Sequence, residues 1–158
     1  EASRKSVRSE VDFVLTFEEI GAMFEAKEID FSKLQPNDAD TFTQASSDGR
    51  GFAVSGGVAK AVVNCIKAKE PNREVLVESA EGLDNCKKML NAAKKGKYNG
   101  YLLEGMACPG GCVAGAGTLL PINRAAMAVK KYTNSSDKLN ANDSKYKEYL
   151  DLLIEKYK

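Results

Sequence analysis

Histidine is absent from the 158 residues. That removes imidazole from any scheme confined to this chain: no Ser-His-Asp or Cys-His nucleophile, no imidazole proton shuttle and no histidine-bearing metal site. An excess of one charge is missing too, because 23 Lys+Arg stand against 22 Asp+Glu, for a formal net charge of +1. Such a balance leaves nothing to hold a phosphate backbone or an anionic membrane, so neither is expected as a partner. No apolar run approaches the roughly 20 residues that span a bilayer, and the first residues carry no signal-peptide pattern. A cytoplasmic setting is expected. What remains is ordinary globular composition, 43% hydrophobic and 28% charged, in a length that suits one domain across residues 1–158. The opening Glu1-Ala2-Ser3-Arg4-Lys5 has no initiating Met, and a C-terminal piece of a longer protein is the expectation.

Strand-like and helix-like stretches alternate along the chain. Val11-Asp12-Phe13-Val14-Leu15 reads as a short buried strand, and Thr16-Phe17-Glu18-Glu19 supplies a capping box for a helix carrying Phe17, Ile20 and Phe24. Residues 30–50, rich in Asp, Asn and Ser, read as a long surface connection. Gly51-Phe52-Ala53-Val54-Ser55 reads as a second strand. Gly56-Gly57 turns it into a helix with Val58, Val62, Cys65 and Ile66 on one face, stopping at Glu70-Pro71. A third strand follows near 74–79, then a helix with Leu83, Cys86, Leu90 and Ala93 at spacings of three and four, stopped by Gly96. A fourth strand is expected near 99–104. Pro121 opens a helix running to about Tyr132, and an amphipathic C-terminal helix is expected from Asp143 to Lys158. Strands separated by helices predict an α/β fold with a mainly parallel sheet and packed helices.

Chemistry concentrates after the fourth strand. Residues 105–117 hold five glycines in thirteen residues together with Cys108 and Cys112, at a strand's carboxyl end, where open α/β sheets place ligands. Two cysteines four apart with small residues between them can turn both sulfurs to one soft metal, and the glycines can aim N–H groups at sulfide or thiolate. A Cys108–Cys112 disulfide and a zinc clip are the competing readings. A zinc site or a cubane cluster, however, wants four ligands, and only two lie here. Cys65 and Cys86 sit on apolar helical stripes, where free cysteine packs as a small hydrophobe, and both are expected buried and out of reach of Cys108 and Cys112. Ser55-Gly56-Gly57 ahead of a helix reads either as an anion site or as a tight strand-to-helix turn.

Met106-Ala107-Cys108-Pro109-Gly110-Gly111-Cys112 resembles the third cysteine signature of the iron-only (FeFe) hydrogenase large subunit. The resemblance extends further. Glu1-Ala2-Ser3-Arg4 with Val11-Asp12-Phe13-Val14-Leu15-Thr16 is similar to the stretch after the family's second signature, and Phe52-Ala53-Val54-Ser55-Gly56-Gly57-Val58 is similar to its aromatic and Gly-Gly turn. In order, these cover roughly residues 1 to 117.

The resemblance implies a [4Fe-4S] cubane joined through one thiolate to a di-iron centre carrying CO, cyanide and a dithiolate. It makes Cys108 a terminal ligand of the cubane and Cys112 the bridging thiolate, with Met106 packing against the di-iron ligands and Phe52 lining the same cavity. The remaining cubane cysteines belong to signatures expected in a missing N-terminal part of the same polypeptide. A ferredoxin-like carrier would exchange electrons, with H2 and protons as reactants. The resemblance assigns no catalytic acid or base to this chain, and the piece alone is expected to be inactive and without its cluster. Val113-Ala114-Gly115-Ala116-Gly117 places alanines where the family commonly has glycine, and Ala53 does the same on the Gly-Gly turn. Extra methyls in a cavity shaped around small ligands alter its fit, which keeps open an iron–sulfur protein for hydrogen or redox sensing, or for cluster assembly, without turnover.

Overall fold

The computed structural model describes residues 11–35 and 45–144, with Tyr149 and Leu152 beyond them. Its centre is a strand–helix–strand unit: β1 (Leu76–Glu81), α4 (Leu83–Lys94) and β2 (Tyr101–Met106). The two strands pair in parallel from Leu76 opposite Tyr101 to Glu81 opposite Met106. Upstream lie α1 (Phe17–Ala26), the four-residue α2 (Ser47–Arg50) and α3 (Gly57–Lys69), and downstream lies α5 (Ile122–Asn134). Helix α3 packs on β2, α4 packs on both strands, and α5 packs against α2 and the short 3-10 turn Cys112–Ala114. The α/β class and the parallel sheet are as the alternation predicts.

Helix boundaries follow the capping chemistry. Thr16 accepts from the Glu19 N–H, and Glu19 accepts in return from the Thr16 N–H at 2.7 Å, a closed capping box. Pro121 precedes α5, where its missing N–H costs nothing. Helix α2 lies inside the stretch read as surface connection. It is fixed by Arg50, whose guanidinium stacks 4.3 Å from the Tyr132 ring centroid and donates to the Tyr132 carbonyl and the Ser135 hydroxyl on α5.

Two expected strands are not strands. Residues 11–15 have no strand partner among the described residues. Residues 51–55 form successive turns, with Phe52 N–H donating to Gly49, Val54 to Gly51, and Gly57 to Val54. The backbone coils there because Gly57 lies directly against the Gly51 carbonyl, where no side chain fits. The expected helix over 143–158 falls mostly outside the described residues.

The buried faces also differ from the apolar stripes. On α3 the buried side chains are Ala59 and Ala61, whereas Val58 and Val62 are exposed, and on α4 it is Met89, with Leu83 and Leu90 exposed. Cys65 and Cys86 are half-buried rather than buried. A two-stranded sheet is too narrow to cover both helices, so bulky residues at their flanks stay in solvent.

Candidate cluster-binding site

Strand β2 runs directly into the cysteine loop. Cys108-Pro109-Gly110-Gly111 closes as a turn in which Gly111 N–H donates to the Cys108 carbonyl at 3.0 Å. Pro109 in the second position and Gly110 at φ 88° in the third are the residues a type II turn requires. Gly111 follows at φ 97°, ψ −164°, backbone space that is essentially reserved for glycine. The loop then winds into Cys112–Ala114, whose Val113 is buried. Cys112 is exposed, Cys108 is half-buried, and both are free thiols, so the disulfide reading does not apply to this structure.

This loop docks on the turn before α3, backbone against backbone. Ser55 N–H donates to the Gly110 carbonyl and Val113 N–H to the Ala53 carbonyl, each at 3.1 Å. A Cβ on Gly111 would come within 2.6 Å of the Ser55 nitrogen and 2.7 Å of the Ala53 oxygen. The Met106–Cys112 motif and the Phe52–Val58 motif are therefore neighbours in space. Phe52 is 46% exposed and Met106 is half-buried at the end of β2. An apolar hollow of about 370 Å³ opens beside the loop, walled by Cys112, Val113, Ala53, Phe17, Leu119 and Leu120. Helix α1 reaches the far end of the loop through Glu18 N–H, which donates to the Gly117 carbonyl at 3.1 Å.

Two glutamates brace the pair of loops, and the sequence singled out neither. Glu104, 8% exposed on β2, accepts from Gly56 N–H at 2.6 Å and from Ala59 N–H at 3.0 Å. The α3 N-terminus, read from Ser55-Gly56-Gly57 as an anion site or a tight turn, is a turn whose free N–H groups are met by an internal carboxylate. The signal was an acidic residue closing the apolar run Tyr101-Leu102-Leu103. Glu81, at the end of β1, accepts from Gly110 N–H at 2.9 Å. The Ser55 hydroxyl, and after it that N–H, hold the Glu81 carboxyl below the usual glutamate range.

The donor set fits iron–sulfur chemistry in kind: cysteine sulfurs on a glycine-rich loop at a strand's carboxyl end, beside an apolar hollow. In number it supplies two ligands. Among the described residues no three Cys, Asp or Glu side chains gather as a metal site, so Cys65 and Cys86 do not complete a zinc set. Nor are all the loop N–H groups aimed at a ligand sulfur, since Gly110 and Gly111 give theirs to Glu81 and Cys108.

The chain is similar in sequence to known proteins. The periplasmic [Fe] hydrogenase large subunit of Nitratidesulfovibrio vulgaris is 28% identical over 141 residues, covering 72% of this chain and 34% of that protein. The NADP-reducing hydrogenase subunit HndD of Solidesulfovibrio fructosivorans is 29% identical over 135 residues, covering 68% of this chain and 23% of that protein. The chain thus spans about a third or less of the relatives it matches. The profile of the iron-only hydrogenase large subunit, C-terminal domain, matches residues 1–116, and the chain belongs to that family.

Proposed function

We propose that this chain supplies the last two cysteine ligands of a hydrogenase metal centre, Cys108 as a terminal ligand of a [4Fe-4S] cubane and Cys112 as the thiolate bridging it to a di-iron unit. The observation that carries the reading is the docking of the Cys108–Cys112 loop on the Phe52–Val58 turn, which joins the two stretches resembling the family in one place. When bound, that group supplies the interconversion of H2 with protons and electrons. The chain's own residues hold and shape. Cys108 and Cys112 bind through sulfur, Gly110 and Gly111 set the spacing between them, and Val113, Leu119 and Leu120 line the apolar hollow beside Cys112. Met106 and Phe52 are assigned to pack against the group.

The remaining cysteines, and the electron path from a ferredoxin-like carrier, are assigned to an N-terminal part of the same polypeptide. Phe13, Val14, Phe17 and Leu119 are all more than half exposed, which is consistent with a neighbouring segment that covers them. The test is infrared spectroscopy of the protein produced with that N-terminal part and matured with the di-iron assembly machinery. CO and cyanide bands that vanish in Cys112→Ala are expected. Cubane signals without those bands would favour the sensing or assembly reading, and no bound iron at all would end both.

A further inference from the structure

Glu81 is not among the residues assigned to the metal centre, yet it holds the backbone at the middle of the cysteine loop. Gly110 lies midway between Cys108 and Cys112, and both of its backbone groups are held from one place: its N–H by Glu81 Oε2 at 2.9 Å and its carbonyl by Ser55 N–H at 3.1 Å. The nearby Ser55 hydroxyl also lowers the Glu81 pKa. Gly110 therefore ties the end of β1 to the turn before α3, at the middle of the loop between the two thiols. Glu81 itself is carried on a rigid element, as the last residue of β1 paired with Met106. Beside it, Glu104 fixes the adjacent Gly56 from β2. Glu104 thus holds the turn directly, and Glu81 reaches it through the backbone of Gly110.

From this geometry we infer that Glu81 is a positioning residue for the cysteine pair, setting the orientation of Cys108 and Cys112 through the backbone of Gly110. A charged acceptor suits the task, because hydrogen bonds to carboxylate are stronger than neutral ones, and a type II turn leaves its third N–H free for an outside partner. The inference deepens the proposed function, since it rests on reading Cys108 and Cys112 as the ligand pair.

The test compares wild type, Glu81→Ala and Glu81→Gln, each with the N-terminal part present. In the metal-free protein, iodoacetamide alkylation of each cysteine is followed by mass spectrometry, with the urea unfolding midpoint as control. Glu81→Ala should raise the rate at the half-buried Cys108 on the order of fivefold, the effect of losing a hydrogen bond that closes a local opening, with a smaller change at the already exposed Cys112. Rates at Cys65 and Cys86 should not move. Glu81→Gln keeps an oxygen that can accept from Gly110 and should recover most of the protection. Unchanged rates in Glu81→Ala, or rates raised equally at all four cysteines, would overturn the inference. A second arm loads iron and sulfide anaerobically and reads the electron paramagnetic resonance line of the reduced cubane. Protection lost in Glu81→Ala while wild type takes up no iron would sink the proposed function and leave the positioning role of Glu81 standing. A wild-type cluster whose line and thiol protection are both indifferent to Glu81→Ala would do the reverse.

Discussion

The Gly56 N–H donates to Glu104 Oε2 at 2.6 Å, a contact between residues 48 apart in sequence. Gly56 begins helix α3 in the left-handed region, at φ 84°, and has no capping side chain of its own. Its helix is therefore capped from the sheet, by the strand that continues into the cysteine loop. Cap, turn and loop form one mechanical unit, and its parts have different sensitivities.

Replacing Glu104 tests the cap. Glu104→Ala leaves the Gly56 and Ala59 N–H groups without their acceptor in a buried place, which should cost about 2–3 kcal/mol. Glu104→Gln keeps one acceptor oxygen but turns an NH2 toward the second donor, and about 1–2 kcal/mol is expected. Urea midpoints measure both. Hydrogen exchange at Ala59 should accelerate in each variant, while the amides of β1 exchange as before.

Glycine substitutions should rank by what the new methyl meets. Gly100, at φ 82° with nothing within 4 Å, has only the left-handed backbone to offset, about 1 kcal/mol on replacement by alanine. Gly110→Ala adds contact with Ile122 Cγ2 at 2.9 Å, a methyl carried directly on Cβ that yields only if the whole exposed side chain rotates, for about 2 kcal/mol in all. Gly111→Ala presses on the backbone of Ala53, Val54 and Ser55, which cannot yield without separating the two loops, and about 3 kcal/mol or more is expected. Unfolding midpoints of the three variants check the order.

How far such features were legible in the sequence depended on range. The Thr16–Glu19 box and the Pro121 start are local, and each stands where its residues indicate. The parallel strands were legible too, displaced two residues toward the N-terminus, because Gly82 and Gly100 end and start the strands later than the apolar runs suggest. Residues 51–55 have strand-like composition, but their N–H groups serve turns and the cysteine loop, a choice made by contacts some 55 residues away. Glu104 escaped notice for the same reason. Its partners on α3 lie 45 and 48 residues upstream, and only a fold that lays β2 under α3 brings them together.

Acid should loosen the cysteine loop before it unfolds the sheet. The Glu81 carboxyl is held below the usual glutamate value by Ser55 and then by Gly110 N–H. A depressed pKa means that the contact contributes fully above the unfolded-state value, about 4.3, and is lost as pH falls through the lower folded value. In an NMR titration the Gly110 amide shift should follow the Glu81 carboxyl, with one shared midpoint below that of an ordinary glutamate. In Ser55→Ala the midpoint should move up toward the ordinary value, because the larger of the two lowering contacts is gone. A Gly110 shift that ignores the carboxyl titration would show that the contact is not made in solution.

The four cysteines should separate into two classes when replaced. Cys86 sits on α4 with its thiol near the Ala80 and Met106 carbonyls, at 3.4 and 3.6 Å, and against Gly105, whose added Cβ would lie 3.2 Å from the sulfur. These are packing contacts with weak donation to two strand ends. Cys86→Ala should cost about 1 kcal/mol of stability and leave metal content alone. Cys65, half-buried on α3, should behave alike. Cys108→Ala and Cys112→Ala should do the opposite, changing the urea midpoint little and removing bound iron, because a methyl group cannot replace a thiolate ligand. The measurement is iron and sulfide per chain after anaerobic loading of the protein with its N-terminal part, beside the midpoint of each metal-free variant. Iron lost from Cys86→Ala at full stability would move a ligand onto α4, and iron retained in Cys112→Ala would remove the loop from the metal centre altogether.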